Sequence, residues 1–147
     1  VGTLPGMENM SEPEWREFVA EGTRTAKVAV TRKDGTPHVT PVWFVLDGDD
    51  LVFNTGARTV KGRALRREPR VSLCVEDDTP PYSFVTIHGE AELSEDVDAM
   101  LPLSIRIGAR YMGDERGEEF GRRNAVPGEL LIRVRVRDVI AQRDLAD

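Results

Sequence analysis

Residues 26–55 read AKVAVTRKDGTPHVTPVWFVLDGDDLVFNT, and this stretch decides the fold class. Ala26, Val28 and Val30 alternate with Lys27, Ala29 and Thr31, the period of two of a half-buried strand. Lys33-Asp34-Gly35-Thr36 then supplies a hairpin turn, with Gly35 free to take the positive φ that such a turn requires. A second strand is predicted over 37–46. Pro41 inside it demands an edge or a bulge, because proline brings no N–H to the ladder. Asp47-Gly48-Asp49-Asp50 turns the chain into a third strand over 51–55. Three strands joined by short turns form an antiparallel meander.

Outward from the meander, the remaining elements follow from caps and periodicity. Ser11 and Glu14 form a capping box before the apolar stripe Trp15, Phe18 and Val19, and Gly22 ends that helix. Residues 59–68 read as a short helix, with Thr59 as N-cap and Pro69 as stop. Further strands are predicted over 70–76, 82–93 and 129–139. A helical stretch opened at Ser94 or Ser104 should run to about Tyr111, with Pro102 kinking or dividing it. A second charged helix is expected over 114–123. Six strands, mostly in hairpins, with few helices, predict a mainly β chain: a small six-stranded antiparallel barrel with helices over its openings. The expected organisation is one domain over 1–147, with a flexible N-terminus over 1–10 and a C-terminal tail over 140–147.

The composition bounds the function. At 147 residues, 39% hydrophobic and 31% charged, the chain can bury a real core. No apolar run approaches the roughly 20 residues of a membrane helix, and Val1 to Gly6 lacks the pattern of a signal peptide. The lone cysteine, Cys74, excludes an internal disulfide and suits a reducing cytoplasm. A net charge of −6 makes the chain as a whole a poor partner for nucleic acid. Yet six bases (Arg58, Lys61, Arg63, Arg66, Arg67 and Arg70) face one acid, Glu68, within thirteen positions, a local charge of +5.

Most chemistries find no support. His38 and His88 stand fifty residues apart, and nothing has metal-ligand spacing. There is no G-x-S-x-G elbow, and Cys74 lies in an apolar run as a small hydrophobe. The acidic pairs sit in turns and helix starts, and no residue is marked as a catalytic acid. Arg133, Arg135 and Arg137 read as a solvated strand face paired to acids on a neighbour.

The basic window is different. It follows a strand end and a Gly turn, where a helix start offers free backbone N–H groups to an anion. Thr55 and Thr59 add hydroxyls, and Arg58, Lys61 and Arg63 add charge. A phosphate cradle and a solvated basic helix are both consistent with this pattern. The strand carrying Pro41, Val42 and Trp43, paired antiparallel with 51–55, would lie beside Asn54 and Thr55 and offer a surface for a flat ring. The alternative is that Trp43 and Phe44 are simply core aromatics, since neighbours on a strand face opposite ways.

Three runs carry a resemblance: Asp34 to Phe44, Leu51 to Gly56, and Lys61 to Leu73, in this order and spacing. Together with the strand ending Ile87-His88-Gly89-Glu90-Ala91, they resemble the pyridoxamine 5′-phosphate oxidase-like split β-barrel superfamily. More narrowly, they resemble its actinobacterial flavin/deazaflavin oxidoreductases of the B group, the PPOX-class F420-dependent enzymes. The likeness spans about Gly22 to Val139. It implies a homodimer with the cofactor in a groove between subunits. The ring would be held by Pro41, Val42 and Trp43 and by the strand around Asn54 and Thr55. The phosphate would be held by Arg58, Thr59 and Lys61, with Arg63 as a further contact, and the partner would contribute the strand start at Tyr82 and Phe84. The implied cofactor is coenzyme F420, with FMN as the alternative. The implied reaction is hydride transfer to a small conjugated acceptor. The rival reading is an FMN-binding oxidase or reductase, or a flavin, deazaflavin or haem carrier or sensor without turnover.

Overall fold

The structure, a computed structural model, describes residues 8–147. Its strands are β1 (Glu8–Asn9), β2 (Ala26–Thr31), β3 (Pro37–Val42), β4 (Val45–Asp47), β5 (Asp50–Gly56), β6 (Arg70–Asp77), β7 (Ser83–Ser94) and β8 (Glu129–Arg143). Its helices are α1 (Glu12–Ala20), α2 (Val60–Arg67), α3 (Val97–Met112) and α4 (Gly117–Asn124), with a single 3-10 turn at Asp114–Arg116 before α4.

The strands form one antiparallel sheet in the order β3-β2-β6-β7-β8-β5-β4, with β1 added beside β8. The fold class is mainly β with peripheral helices, as the alternation predicts. The predicted count of six strands and the predicted closure are corrected to eight strands in a sheet that is not closed. One extra strand is β1, whose Glu8 and Asn9 pair with Arg143 and Gln142 inside the stretch expected to be flexible. The remainder of that expectation, 1–7, lies outside the described residues. The other arises because the strand predicted over 37–46 breaks at Trp43 and Phe44. Pro37–Val42 pairs with β2, while Val45–Asp47 pairs with β5. The two edges of the sheet are therefore consecutive in the chain, joined by two residues, and the sheet must curl to bring them together.

Other boundaries shift modestly. The last strand continues to Arg143 rather than stopping at Val139, because its far end pairs with the start of β7, up to Phe84↔Gln142. The expected tail is then fastened: the amides of Leu145 and Ala146 donate to the carbonyls of Tyr82 and Pro81. Tyr82 lies just before β7, not in it, at φ +69. Pro102 does not divide α3, which runs unbroken from its N-cap Asp96 rather than from Ser94 or Ser104. Pro102 removes a single ladder bond, while the Asp96 side chain accepts from the Ala99 amide and anchors the first turn.

Caps form as predicted. Ser11 and Glu14 exchange their reciprocal capping bonds, and the Thr59 hydroxyl accepts from the Gly62 amide. Gly35 takes φ +88 in the β2–β3 turn, where Asp34 accepts from the amide and hydroxyl of Thr36.

The core has two parts. Val28, Phe44, Leu51, Phe53, Leu65, Leu73, Ile87, Leu130 and Ile132 fill the inside of the curled sheet. Val45, Val52 and Leu131 face outward onto Met100, Ile107 and Ala125 beneath α3 and α4. Strands β5 and β8 are thus buried on both faces, and this removes the alternation from Leu51-Val52-Phe53 and Leu130-Leu131-Ile132. The helical pair packs closely. A Cβ on Gly121 would meet the backbone of Ile105, and one on Gly108 would press on the Gly117 carbonyl. On the far side of β8, Arg133 donates to Asp47 and Asp50, Arg135 to Asp50 and Glu92, and Arg137 to Glu90. This is the predicted acid-paired ladder. Among the described residues, no helix is long and apolar enough to cross a membrane, and no cluster of three His, Cys, Asp or Glu has the arrangement of a metal site.

Candidate functional site

The break at Trp43 and Phe44 opens a gap in the sheet. Beyond Val52, β5 has ladder partners on its β8 side only, and β3 pairs with β2 only. Between these two unpaired edges lies a cleft of about 220 Å³, lined by Pro41, Val42, Trp43, Asn54, Lys61, Ile107, Asn124 and Glu129. Five of the eleven sequence-predicted site residues thus meet in one place: Pro41, Val42, Trp43, Asn54 and Lys61.

Lys61 arrives from the first turn of α2. That helix approaches the end of β5 closely because residue 62 has no side chain; a Cβ on Gly62 would collide with the carbonyl oxygen of Gly56. The Lys61 ammonium donates to the Thr40 hydroxyl at 2.8 Å. Half-buried, it has its pKa lowered by desolvation, an effect that the carboxylate of Glu129 opposes. Glu129 experiences the converse: desolvation raises its pKa, and Lys61 acts against the rise.

Thr55 and Thr59 stand beneath the helix start but face one another, hydroxyl to hydroxyl at 3.2 Å. The Thr59 hydroxyl also bonds with the Gly56 carbonyl and caps Gly62, so its proton and lone pairs are engaged within the turn. Arg58 is exposed and, among the described residues, makes no side-chain hydrogen bond or ion pair. Arg63 faces away from the cleft into a separate groove of about 430 Å³ that it shares with Arg32, Lys33 and Arg67. The helical turn explains this: positions 61 and 63 point some 200° apart. Arg66 pairs with Glu95. Tyr82 and Phe84 do not line the cleft of their own chain; Tyr82 is 43% exposed at the end of the molecule where β7 begins.

Trp43 is held by α3 and α4. The Tyr111 ring stacks on the indole at 5.1 Å and 5°, and Phe120 packs against it at a tilt. The Tyr111 hydroxyl accepts from the Phe44 amide and donates to the Arg24 carbonyl. Arg110 extends from the same helix to the carbonyls of Val19, Gly22 and Phe44. The amide and carbonyl of Phe44, which lack ladder partners, are thereby satisfied by side chains. Asn54 is oriented by Ser104, whose hydroxyl donates to its amide oxygen at 3.0 Å.

Three residues of the cleft escape the sequence reading: Ile107, Asn124 and Glu129. Ile107 is buried on the inner face of α3, and nothing local marks its proximity to Trp43. Glu129 is preceded by the turn at Val126-Pro127-Gly128, and its charge at a strand start resembles an ordinary solvated acid. Its ladder neighbour is Gly56, however, and this register brings the Glu129 carboxyl near the helix start.

The residues of the cleft suit a flat ring bearing an anionic group. A cation stands at one end, amide side chains line the walls, and the main-chain edges of two strands are without partners. Lys61 would hold the anion, and Asn54 and the 41–43 backbone would hold the polar edge of the ring.

The family model described as pyridoxamine 5′-phosphate oxidase matches residues 11–143. A conserved hypothetical protein from Mycobacterium tuberculosis, Rv2991, is similar at 30% identity over 100% of this chain and 94% of its own, with a TM-score of 0.81. A structure described as an F420 reductase is similar at 25% identity over 84% of this chain and 94% of its own, with a TM-score of 0.66. HutZ, a haem storage protein from Vibrio cholerae, shares the fold at 20% identity over 92% of this chain and 98% of its own, with a TM-score of 0.72. No curated protein matches the chain.

Proposed function

This chain belongs to the pyridoxamine 5′-phosphate oxidase family, and from that premise we propose that it is an oxidoreductase that binds coenzyme F420 and reduces a conjugated organic acceptor. The observation that carries the reading is the cleft, where the Lys61 ammonium faces the unpaired edges of Pro41 to Trp43 and Asn54. Similarity to an F420 reductase favours the deazaflavin over FMN. When bound, the ring supplies the hydride chemistry. The chain's own task is to bind the phosphate, orient the ring and exclude water on the Trp43 side.

A homodimer completes the site in this proposal. The cleft of one chain, about 220 Å³, is smaller than the roughly 300–1,000 Å³ of pockets that enclose a whole ligand. A second copy would cover the open side, and its β7 start would bring Tyr82 and Phe84 to the ring. The exposed side chains of Val39, Tyr82 and Ile140 offer apolar surface for that contact. A reducing cytoplasm suits the free thiol of Cys74.

The test is a titration of the purified chain with coenzyme F420, FMN and haem, followed by fluorescence and absorbance. Saturable F420 binding is expected. Tight FMN binding without F420 binding overturns the deazaflavin assignment, and haem binding alone supports a carrier. Bound, reduced F420 that no acceptor reoxidises at catalytic rates also points to a carrier. Sedimentation of the chain should give twice the monomer mass.

A further inference from the structure

The two helices beside the cleft are attached in different ways. Side chains tie α3 to the rest of the chain along its length. Ser104 bonds to Asn54, and Arg106 bonds to Asp47 and the Leu46 carbonyl. Arg110 reaches the carbonyls of Val19, Gly22 and Phe44, and Tyr111 joins Phe44 to Arg24. The segment 114–127, which carries the 3-10 turn and α4, has no such ties. Among the described residues, its hydrogen bonds and ion pairs all close within 113–129. Arg116 and Arg123 pair with Glu119, and Arg122 pairs with Glu118, all on the segment itself.

Its packing is sparse as well. The large side chain that α4 buries is Phe120, set against Trp43. Its other buried positions, Gly117 and Gly121, lie against Ala109 and Ile105 of α3 and bring no side chain to interlock. A seam of this kind lets one helix slide on the other. An element held by one large apolar group and no polar tie belongs to the low end of local stability. Both of its ends are glycines at positive φ, +95 at Gly113 and +92 at Gly128. Each glycine is itself anchored. The Gly113 amide donates to the Ala109 carbonyl, and the Gly128 carbonyl accepts from the Ala57 amide. Two fixed points with a loosely held segment between them make a hinged flap.

We propose that residues 114–127 are a lid on the cleft, moving about Gly113 and Gly128 to admit a flat ligand and closing Asn124 over it. The inference rests on the reading of the cleft as a ring-binding site given above. Asn124 lines the cleft, and Phe120 backs the indole of Trp43, which lines it too. Opening separates Phe120 from Trp43 and breaks no hydrogen bond to the sheet. The Tyr111–Trp43 stack and Ile107 stay in place, because α3 is tied down. The lid thus sets how fast a ring enters, while the fixed wall sets where it rests.

The experiment combines amide hydrogen exchange with stopped-flow fluorescence on the full chain, using F420 and FMN as probes. Without cofactor, amides of 117–124 should exchange at least about tenfold faster than those of 104–111 in α3. Saturating F420 should slow 117–124 and leave α3 unchanged. The observed rate of association should level off at high F420 concentration, at the rate of lid opening. Phe120→Ala should raise that plateau by about tenfold or more and speed exchange in 114–127, with the amides of β6 and β7 unchanged. A disulfide between Ala109→Cys and Gly117→Cys, in a Cys74→Ser background, should slow association until it is reduced. Equal protection of the two helices, with and without F420, overturns the lid. So does an association rate that rises linearly with concentration and ignores Phe120→Ala. If the parent binds neither F420 nor FMN, the cofactor reading fails and exchange alone decides: faster exchange of 117–124 keeps the lid, and equal protection removes it.

Discussion

The ring of Tyr111 lies parallel to the indole of Trp43, 5.1 Å away and 5° from coplanar. One face of the tryptophan is therefore covered by the chain's own helix, which leaves a ligand the other face, the edge or the neighbouring backbone. The Tyr111 hydroxyl, meanwhile, ties the break to the chain before β2: it accepts from the Phe44 amide at 3.2 Å and donates to the Arg24 carbonyl at 2.7 Å.

Tyr111→Phe should keep the stack and lose both bonds. Leaving the Phe44 amide unpaired predicts a loss of about 1–3 kcal/mol in stability. Urea denaturation checks this, and an unchanged midpoint would show that the hydroxyl does not hold the break.

Among the described residues Lys61 is the cation that lines the cleft, and Lys61→Ala removes it. Affinity for a phosphate-bearing cofactor should fall by about 1.5–3 kcal/mol, the scale of a hydrogen bond to a charged group. Thr40→Val removes only the hydroxyl partner of Lys61 and should have a much smaller effect. Fluorescence titration separates the two, and equal losses would argue that Thr40 rather than Lys61 holds the anion.

Gly62→Ala places a methyl against the carbonyl oxygen of Gly56. The helix must move off the strand end, at a cost of about 1–3 kcal/mol by analogy with overpacked cores. Because Lys61 moves with the helix, the variant should lose both stability and cofactor affinity, whereas Gly35→Ala, at the open β2–β3 turn, should affect stability alone.

Asp47 has its pKa lowered, first by its hydrogen bond from Arg133. A depressed folded-state pKa gives stability that is present above the unfolded value and is lost as pH falls through the folded one. The structure should therefore weaken below about pH 4, and Asp47→Asn should weaken less over the same interval. Denaturation midpoints at pH 6 and pH 3 for the two proteins give the comparison, and identical pH dependence would count against the pair.

The local rules were legible where local chemistry decides. Ser11, Thr59 and Gly35 carry their caps and turn in their own side chains or lack of one. The alternation in Val28-Ala29-Val30 and Val85-Thr86-Ile87 marks strands with one face buried. The basic window around Lys61 is likewise visible as charge. What was not legible arises from contacts between distant elements. Val42-Trp43-Phe44-Val45 is an unbroken apolar run, and nothing within it shows that Phe44 and Val45 turn into different cores. Thr55 and Thr59 read as free hydroxyls because their bonds to one another and to Gly56 exist only once the turn folds. Glu129 lies seventy-three residues from the glycine it faces, and its burial depends wholly on the β5–β8 register.

The sheet's two edge strands are joined by only two residues, and this has a consequence for how the cleft can change over time. Its opening is an interruption of backbone pairing, not a hollow left by small side chains. Substituting Pro41 or Val42 can alter its lining and leave the opening itself intact. A lineage could thus exchange one acceptor for another by drift at the walls while inheriting the gap unchanged.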